Sequence, residues 1–312
     1  MTLCVAFTSI YRYLAKVPTV FMHGFLCAQT AISQATNDKA KRAGNLGRLT
    51  AAYTVGAAIG PALGGYLGWE LGAQFAIVGS FVSAVLVILF PLKRVRLAED
   101  AQPEVLPADG SVTKVVVILR KTWSVLTVKL VTGFANSMQS TVMPLILKNG
   151  GMMERELGLV MSSMRVGNAV TNGFMLQFVT KLMRGVSGVI SLCLATPVVL
   201  YLMVAGAGSS FFDIPVLYVY AGATFILTIF QYILGTSLTA ESTGRLQSHE
   251  RGTQLGIEHA SFAGARIFAP TAGSAVLTGY GLGGVCLACS GIYSIATALW
   301  FAVGSVKHRK ES

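Results

Sequence analysis

Charged residues are scarce in this chain. Asp, Glu, Lys and Arg make up 12% of its 312 residues, about half the roughly 25% of a soluble domain. That scarcity excludes a surface wetted over most of its area. Acids are scarcer still, 13 against 24 Lys and Arg, for a net charge of +11. Such a surplus raises nucleic acid as a partner, but that recognition needs a basic face on a soluble fold. Here the basic residues sit between apolar runs, so nucleic acid is excluded. The five cysteines (Cys4, Cys27, Cys193, Cys286, Cys289) lie inside apolar runs without metal-ligand spacing and read as small packing residues. Cys286-x-x-Cys289 has a redox spacing but no βαβ context. No N-x-[ST] acceptor occurs, nor a phosphate-cradling Walker loop, an H-E-x-x-H pair or a nucleophile elbow. No metal, no cofactor and no enzyme activity are therefore expected, and any work across a membrane would draw on ion gradients.

Apolar length is abundant instead. Hydrophobic residues make up 53% of the chain and Gly numbers 34. A helix needs about 20 apolar residues to cross the hydrocarbon core, and small residues let such helices approach closely. About nine spans are read, near 8–36, 46–67, 71–92, 122–147, 157–180, 186–206, 214–240, 252–279 and 283–306. The expected fold is all-α, a polytopic membrane protein. The one long polar connection, 93–121, separates residues 1–92 from a six-span bundle at 122–306, with a short tail at 307–312. Lys and Arg stay cytoplasmic. Sorted alternately, the connections put Lys39, Lys41, Arg42, Arg48, Lys93, Arg94, Arg96, Lys114, Arg120, Lys121, Lys181, Arg184, Arg245, Arg251, Lys307, Arg309 and Lys310 on one side, against Lys148 and Arg155 on the other. The C-terminus is thus expected in the cytoplasm.

The chain also repeats itself. Shifted by 209 residues, Arg42, Leu46 and Gly47 fall on Arg251, Leu255 and Gly256. Further on, Pro61 meets Pro270, Gly64 meets Gly273 and Gly72 meets Gly281. Both copies start at a basic end and carry Pro-x-x-Gly inside a small-residue span. Copies six spans apart fit a duplicated transporter of six plus six helices. The long linker would then follow six spans, yet here it follows three, so three spans are expected to be missing at the N-terminus.

The run Gly56-Ala-Ala-Ile-Gly60-Pro61-Ala-Leu-Gly64-Gly65 resembles the antiporter signature in the fifth helix of major facilitator superfamily drug:proton antiporters. Its glycines open a flat face for close helix contact, and Pro61 frees one backbone acceptor and permits bending. Leu14 to His23 with Ala28-Gln29, Leu46 to Leu49, Gly252 to Gly256 and Arg266 to Gly273 resemble helices of solute carrier family 22. That resemblance runs from the fourth family helix to the twelfth. It implies a carrier of organic cations working by proton antiport, with Lys16 standing where a basic residue tied to proton coupling is usual. The second-half counterpart of the family's acidic loop motif, Gln177 to Gly185, carries no acid.

Ionisable groups inside a span are expensive and point to function. Those expected within spans are Arg12, Lys16, His23, Lys129, Arg165, Glu258, His259 and Arg266. Glu258 is the one acid in a span interior, which makes it the candidate for a cation or a proton, with His259 beside it able to titrate near neutral pH. Glu258 and Arg266, eight apart, are expected on one helix face, each meeting a partner elsewhere or lining a wet cavity. Arg165, Asn168 and Asn172 form one polar stripe and Asn136 with Gln139 another; each either glues helices together or lines a cleft. The expected partners are a small organic cation, protons and the lipid bilayer. The opposing expectation is a non-transporting form of such a carrier, either a truncated isoform or an incomplete gene model.

Overall fold

The computed structural model describes residues 24–36, 38–89, 112–183, 185–207 and 216–311. Arg12, Lys16 and His23 lie outside the described residues. Among those described there is no strand. The helices are α1 (Gly24–Ala35), α2 (Lys39–Leu89), α3 (Val112–Asn149), α4 (Glu154–Val170), a π-helical turn Thr171–Met175, α5 (Leu176–Leu182), α6 (Val186–Ala207), α7 (Val216–Gly244) and α8 (Arg251–Glu311). Three of the described helices are long and apolar enough to cross a bilayer: Val186–Gly206, Tyr218–Gly244 and Ser248–Ala302.

Local chemistry sets several of the ends. Asp38 precedes α2, and its Oδ1 accepts from the Lys41 amide at 2.7 Å, satisfying one of the orphan donors of the first turn. Before α4, the Met153 amide donates to Glu156 Oε2 at 3.0 Å, half of a capping box. Gly151 and Gly185, with φ of 96° and 125°, make the turns that flank the α4–α5 unit, a conformation that costs a glycine little.

The two copies of the repeat diverge at one matched glycine. Gly281 takes φ 65° and ψ −162° and breaks α8 into two limbs, where the expected spans 252–279 and 283–306 part. At the matching Gly72 the backbone runs on, and residues expected as two spans, 46–67 and 71–92, form the single helix α2. Neither stretch, 62–89 nor 271–311, holds a proline, so the divergence lies in the backbone conformation at the matched glycine alone. The helix α3 begins at Val112, ten residues before the expected span, and carries Lys114, Arg120 and Lys121 out of the polar connection.

In the second part of the chain, α3 packs along the first limb of α8, and α6 packs on α7 and on the second limb of α8. The packing is close at small residues. A Cβ at Gly133 would lie 2.0 Å from the Phe262 ring, and one at Gly273 would lie 3.0 Å from the Met138 carbonyl oxygen. The Pro270-x-x-Gly273 copy therefore provides the close helix contact that its composition predicts. Across the molecule α2 lies antiparallel on α4. There Ser162 Oγ donates to the Ala58 carbonyl at 2.7 Å. Gly47 has so little room that a Cβ would sit 2.4 Å from the Asn172 carbonyl oxygen. The π-helical turn is what presents that oxygen, and such turns concentrate at functional positions.

Candidate functional site

Glu258, on the first limb of α8, is 2% exposed, and Lys129 of α3 is 6% exposed. The two form a buried ion pair, Lys129 Nζ on Glu258 Oε2. Glu258 Oε1 accepts from Ser242 Oγ at 2.5 Å and from Gln254 Nε2 at 3.3 Å. Lys129 Nζ also donates to Thr239 Oγ1 at 2.5 Å and stands 5.7 Å from the centre of the Phe262 ring. Thr122 Oγ1 donates to Gln254 Oε1 at 2.9 Å, closing the knot. Three donors from three helices thus converge on one carboxylate, and both of its oxygens are engaged. A charge so placed is tolerable because its partner is a full opposite charge and its other oxygen accepts two hydrogen bonds.

A second polar group lies where α2 meets α4 and α7. Arg165 donates through Nη1 to the Tyr232 hydroxyl, and its guanidinium rests 5.4 Å from that ring's centre. No carboxylate pairs with Arg165 among the described residues. Asn168 and Asn172 are buried and bonded to one another. They reach Thr54 Oγ1 of α2 at 3.5 Å and Thr236 Oγ1 of α7 at 3.2 Å. The stripe expected on α4 is real, and it ties that helix to both neighbours.

At the basic end, the two arginines matched by the repeat meet on one target. Arg42 donates from Nε and Nη2 to the Thr36 carbonyl at 3.0 and 2.7 Å. Arg251 donates from Nη1 to the carbonyls of Ser33 and Thr36, and from Nε to that of Thr243 at 3.1 Å. The Ser33 and Thr36 carbonyls close the end of α1 and that of Thr243 the end of α7, where the helix dipole is negative and cations are favoured. Burial lowers the Arg42 guanidinium below its ordinary pKa, with Arg251 adding to the effect, and burial lowers Arg251 as well. Each remains a cation, since an arginine does not lose its proton in proteins. Nearby, Lys121 Nζ pairs with Glu250 at 2.9 Å, and Arg245 pairs with Glu241 at 3.1 Å.

The other expected positions fall elsewhere. His259 is exposed, and its Nε2 is 3.0 Å from Gln29 Oε1 on α1. Arg266 is exposed, so Glu258 and Arg266 do not share a face; the angle of about 80° accumulated over eight residues turns one inward and the other outward. Asn136 is half-buried, while Gln139 is buried. Gly56, Gly60, Pro61, Gly64 and Gly65 all fall within α2, and their side-chain surroundings lie outside the described residues. The sequence reading did not single out Tyr232, Thr236, Thr239, Ser242 or Gln254. A signal was there, since Tyr232, Thr236, Thr239 and Thr243 recur at helical spacing. It was hidden because hydroxyls fit an apolar span by bonding back to their own helix, as Thr236, Thr239 and Thr243 do.

No curated protein and no solved structure matches the chain. A family model does, that of the Major Facilitator Superfamily, over residues 17–257. That range takes in α1 to α7 and the first turns of α8, with Lys129, Arg165 and both repeat arginines inside it and Glu258 immediately beyond. With its described residues helical and three helices long and apolar enough to cross a bilayer among them, this integral membrane chain belongs to the Major Facilitator Superfamily, a family of transporters.

Proposed function

We propose that the chain is a secondary carrier of organic cations working by proton antiport, with Glu258 as the group that takes the cation or the proton. The observation that carries this reading is the Lys129–Glu258 pair. The Glu258 carboxylate, 2% exposed, is already held by one organic ammonium, from Lys129, so the site has the chemistry a substrate ammonium requires. A proton arriving on Glu258, or a cation arriving beside it, displaces Lys129 onto Thr239 and the Phe262 face. The likeness to solute carrier family 22 and to drug:proton antiporters supports the same substrate class and coupling. The basic connections and the C-terminus face the cytoplasm in this account. The test is flux of a fluorescent organic cation into proteoliposomes under an imposed pH gradient. Glu258→Gln keeps the shape, removes the charge and is expected to abolish gradient-driven flux; undiminished flux would exclude the role.

One observation favours a second reading. With Glu258 neutralised by Lys129, Arg165 is a cation without a carboxylate among the described residues at the seam between α2, α4 and α7. An anionic substrate group would supply its counter-charge. Organic anions driven by the same gradient, lost in Arg165→Gln and kept in Glu258→Gln, distinguish this reading from the first.

A further inference from the structure

Two successive turns of α3 face two successive turns of the first limb of α8. Lys129 meets Glu258, and one turn further on Gly133 meets Phe262. Three neighbouring atoms of the Phe262 ring, Cδ1, Cε1 and Cζ, crowd the place where a Cβ at Gly133 would stand, two of them at 2.9 Å. The missing side chain is therefore the notch that one edge of the ring occupies. The ring's face is turned to the ion pair, with Lys129 Nζ 5.7 Å from its centre, inside the range where a cation feels the ring quadrupole. Phe262 is half-buried, whereas Lys129 and Glu258 are 6% and 2% exposed. It also lies one turn along α8 from His259, whose Nε2 is 3.0 Å from Gln29 Oε1 on α1. The ring thus stands between the ion pair and the side of α8 that meets the first part of the chain. Of the three residues it is the one that a molecule from outside can touch.

A cation that replaces Lys129 on Glu258 Oε2 enters the reach of this ring, because the ammonium it replaces already stands there. What the ring adds depends on the cation's head. A primary ammonium carries three N–H donors and is held by oxygen acceptors, as Lys129 is by Glu258 and Thr239. A quaternary ammonium has no N–H to give, so an aromatic face is the neighbour that favours it. Lys129, drawn back to Thr239, takes one side of the ring. Both faces of a phenyl are negative, and the exposed part stays open to the substrate. We infer that Phe262 determines the specificity of the carrier: its ring gives quaternary ammonium ions a seat beside Glu258, and Gly133 sets where the ring stands. This rests on the reading that Glu258 takes the organic cation.

The test uses the full chain in lipid nanodiscs and a matched pair of probes, butylammonium and butyltrimethylammonium. They share a tail and differ in their N–H groups, and both are cations at about pH 7. Kd is measured for each by scintillation proximity with the tritiated compound. Phe262→Leu keeps apolar bulk and removes the ring face. It is expected to weaken butyltrimethylammonium about 5- to 30-fold and butylammonium by no more than about twofold. Phe262→Tyr keeps the face and is expected to bind both probes as the parent does. Gly133→Ala leaves the ring intact but pushes it from its notch, so the same selective loss is expected with position 262 unchanged. A merely structural role would move both constants together. Equal losses for the two probes in Phe262→Leu, no loss for either, or a selective loss that Phe262→Tyr also shows would overturn the inference. Failure of the reading beneath it looks different: Glu258→Gln then binds both probes as the parent does, or the parent binds neither, and the seat assigned to Phe262 falls with it.

Discussion

Replacing Lys129 by Met leaves Glu258 buried at 2% exposure with its counter-charge gone. Removing one partner of a buried ion pair costs about 3–5 kcal/mol, because the remaining charge is stranded in low dielectric. Two donors stay on the carboxylate, Ser242 Oγ and Gln254 Nε2, which places the expected cost at the lower end, about 3 kcal/mol. At this chain length each kcal/mol moves Tm by about 2 °C, so a fall near 6 °C is expected. Lys129→Met with Glu258→Leu replaces both charges with apolar groups of similar bulk. That exchange is close to neutral or stabilising, less about 1 kcal/mol for hydroxyl and amide donors left idle. Glu258→Leu alone strands Lys129 in the same way, at about 3 kcal/mol, so the double variant should lie within about 1 kcal/mol of the parent and the cycle should show a coupling of at least about 3 kcal/mol. The chain supplies its own probe: Cys193, Cys286 and Cys289 are free and buried, so a thiol-reactive fluorophore reports unfolding as it reaches them. If the double variant is destabilised by the sum of the two singles, the pair is not coupled and the reasoning fails.

Other outcomes follow from the packing and the charges. Gly47→Val forces a side chain against the Asn172 carbonyl oxygen, 2.4 Å from the Cβ position, and should cost about 1–3 kcal/mol. Its repeat partner Gly256 has nothing within 4 Å, so Gly256→Ala should be neutral or gain about 0.5–1 kcal/mol; equal damage at both positions in thermal unfolding would contradict the packing described for α2. Arg251→Ala should release the end of α1, read as faster thiol labelling of Ser33→Cys. Arg251→Lys should not restore slow labelling, since an ammonium lacks the fork that reaches two carbonyls and Thr243 together. Burial pushes the Glu250 carboxyl upward, but the Lys121 ammonium and the Gln247 amide outweigh it and hold the group below its usual value. A depressed folded-state pKa gives stability that is present above the unfolded pKa and lost as pH falls through the folded one. Glu250→Gln should therefore lower Tm at about pH 7, and the difference from the parent should close as pH is lowered below the carboxylate range near 4.

Much of the fold is legible in the sequence because the bilayer demands apolar length. The span near 186–206 lies inside α6, the described part of that near 214–240 lies inside α7, and that near 157–180 is helical throughout, over α4, the π-helical turn and α5. The break at 280–282 falls at Gly281, where a left-handed residue interrupts α8. The unbroken α2 is not legible in the same way, since Gly72 matches Gly281 in sequence and differs from it only in backbone conformation. The site is half legible. Composition singles out Glu258, Lys129 and Arg165 because an intramembrane charge is rare, but it cannot say that the first two face one another across 129 positions of chain. Nor can it say that Arg266 turns outward. The repeat aligns Arg42 with Arg251, yet only the fold shows both seated on the carbonyls of α1. Pairing is a property of helix rotation and crossing, and one residue of register turns a helix by about 100°.

Proton movement on substrate addition tests the central claim most directly. The purified chain is sealed in proteoliposomes holding a pH-sensitive dye, with no gradient applied, and an organic cation is added outside. Antiport through Glu258 predicts that protons leave as the cation enters, so the lumen becomes alkaline in proportion to the cation taken up, and that Glu258→Gln gives no pH change. Cation uptake without lumenal alkalinisation, or an unchanged pH response in Glu258→Gln, would contradict it.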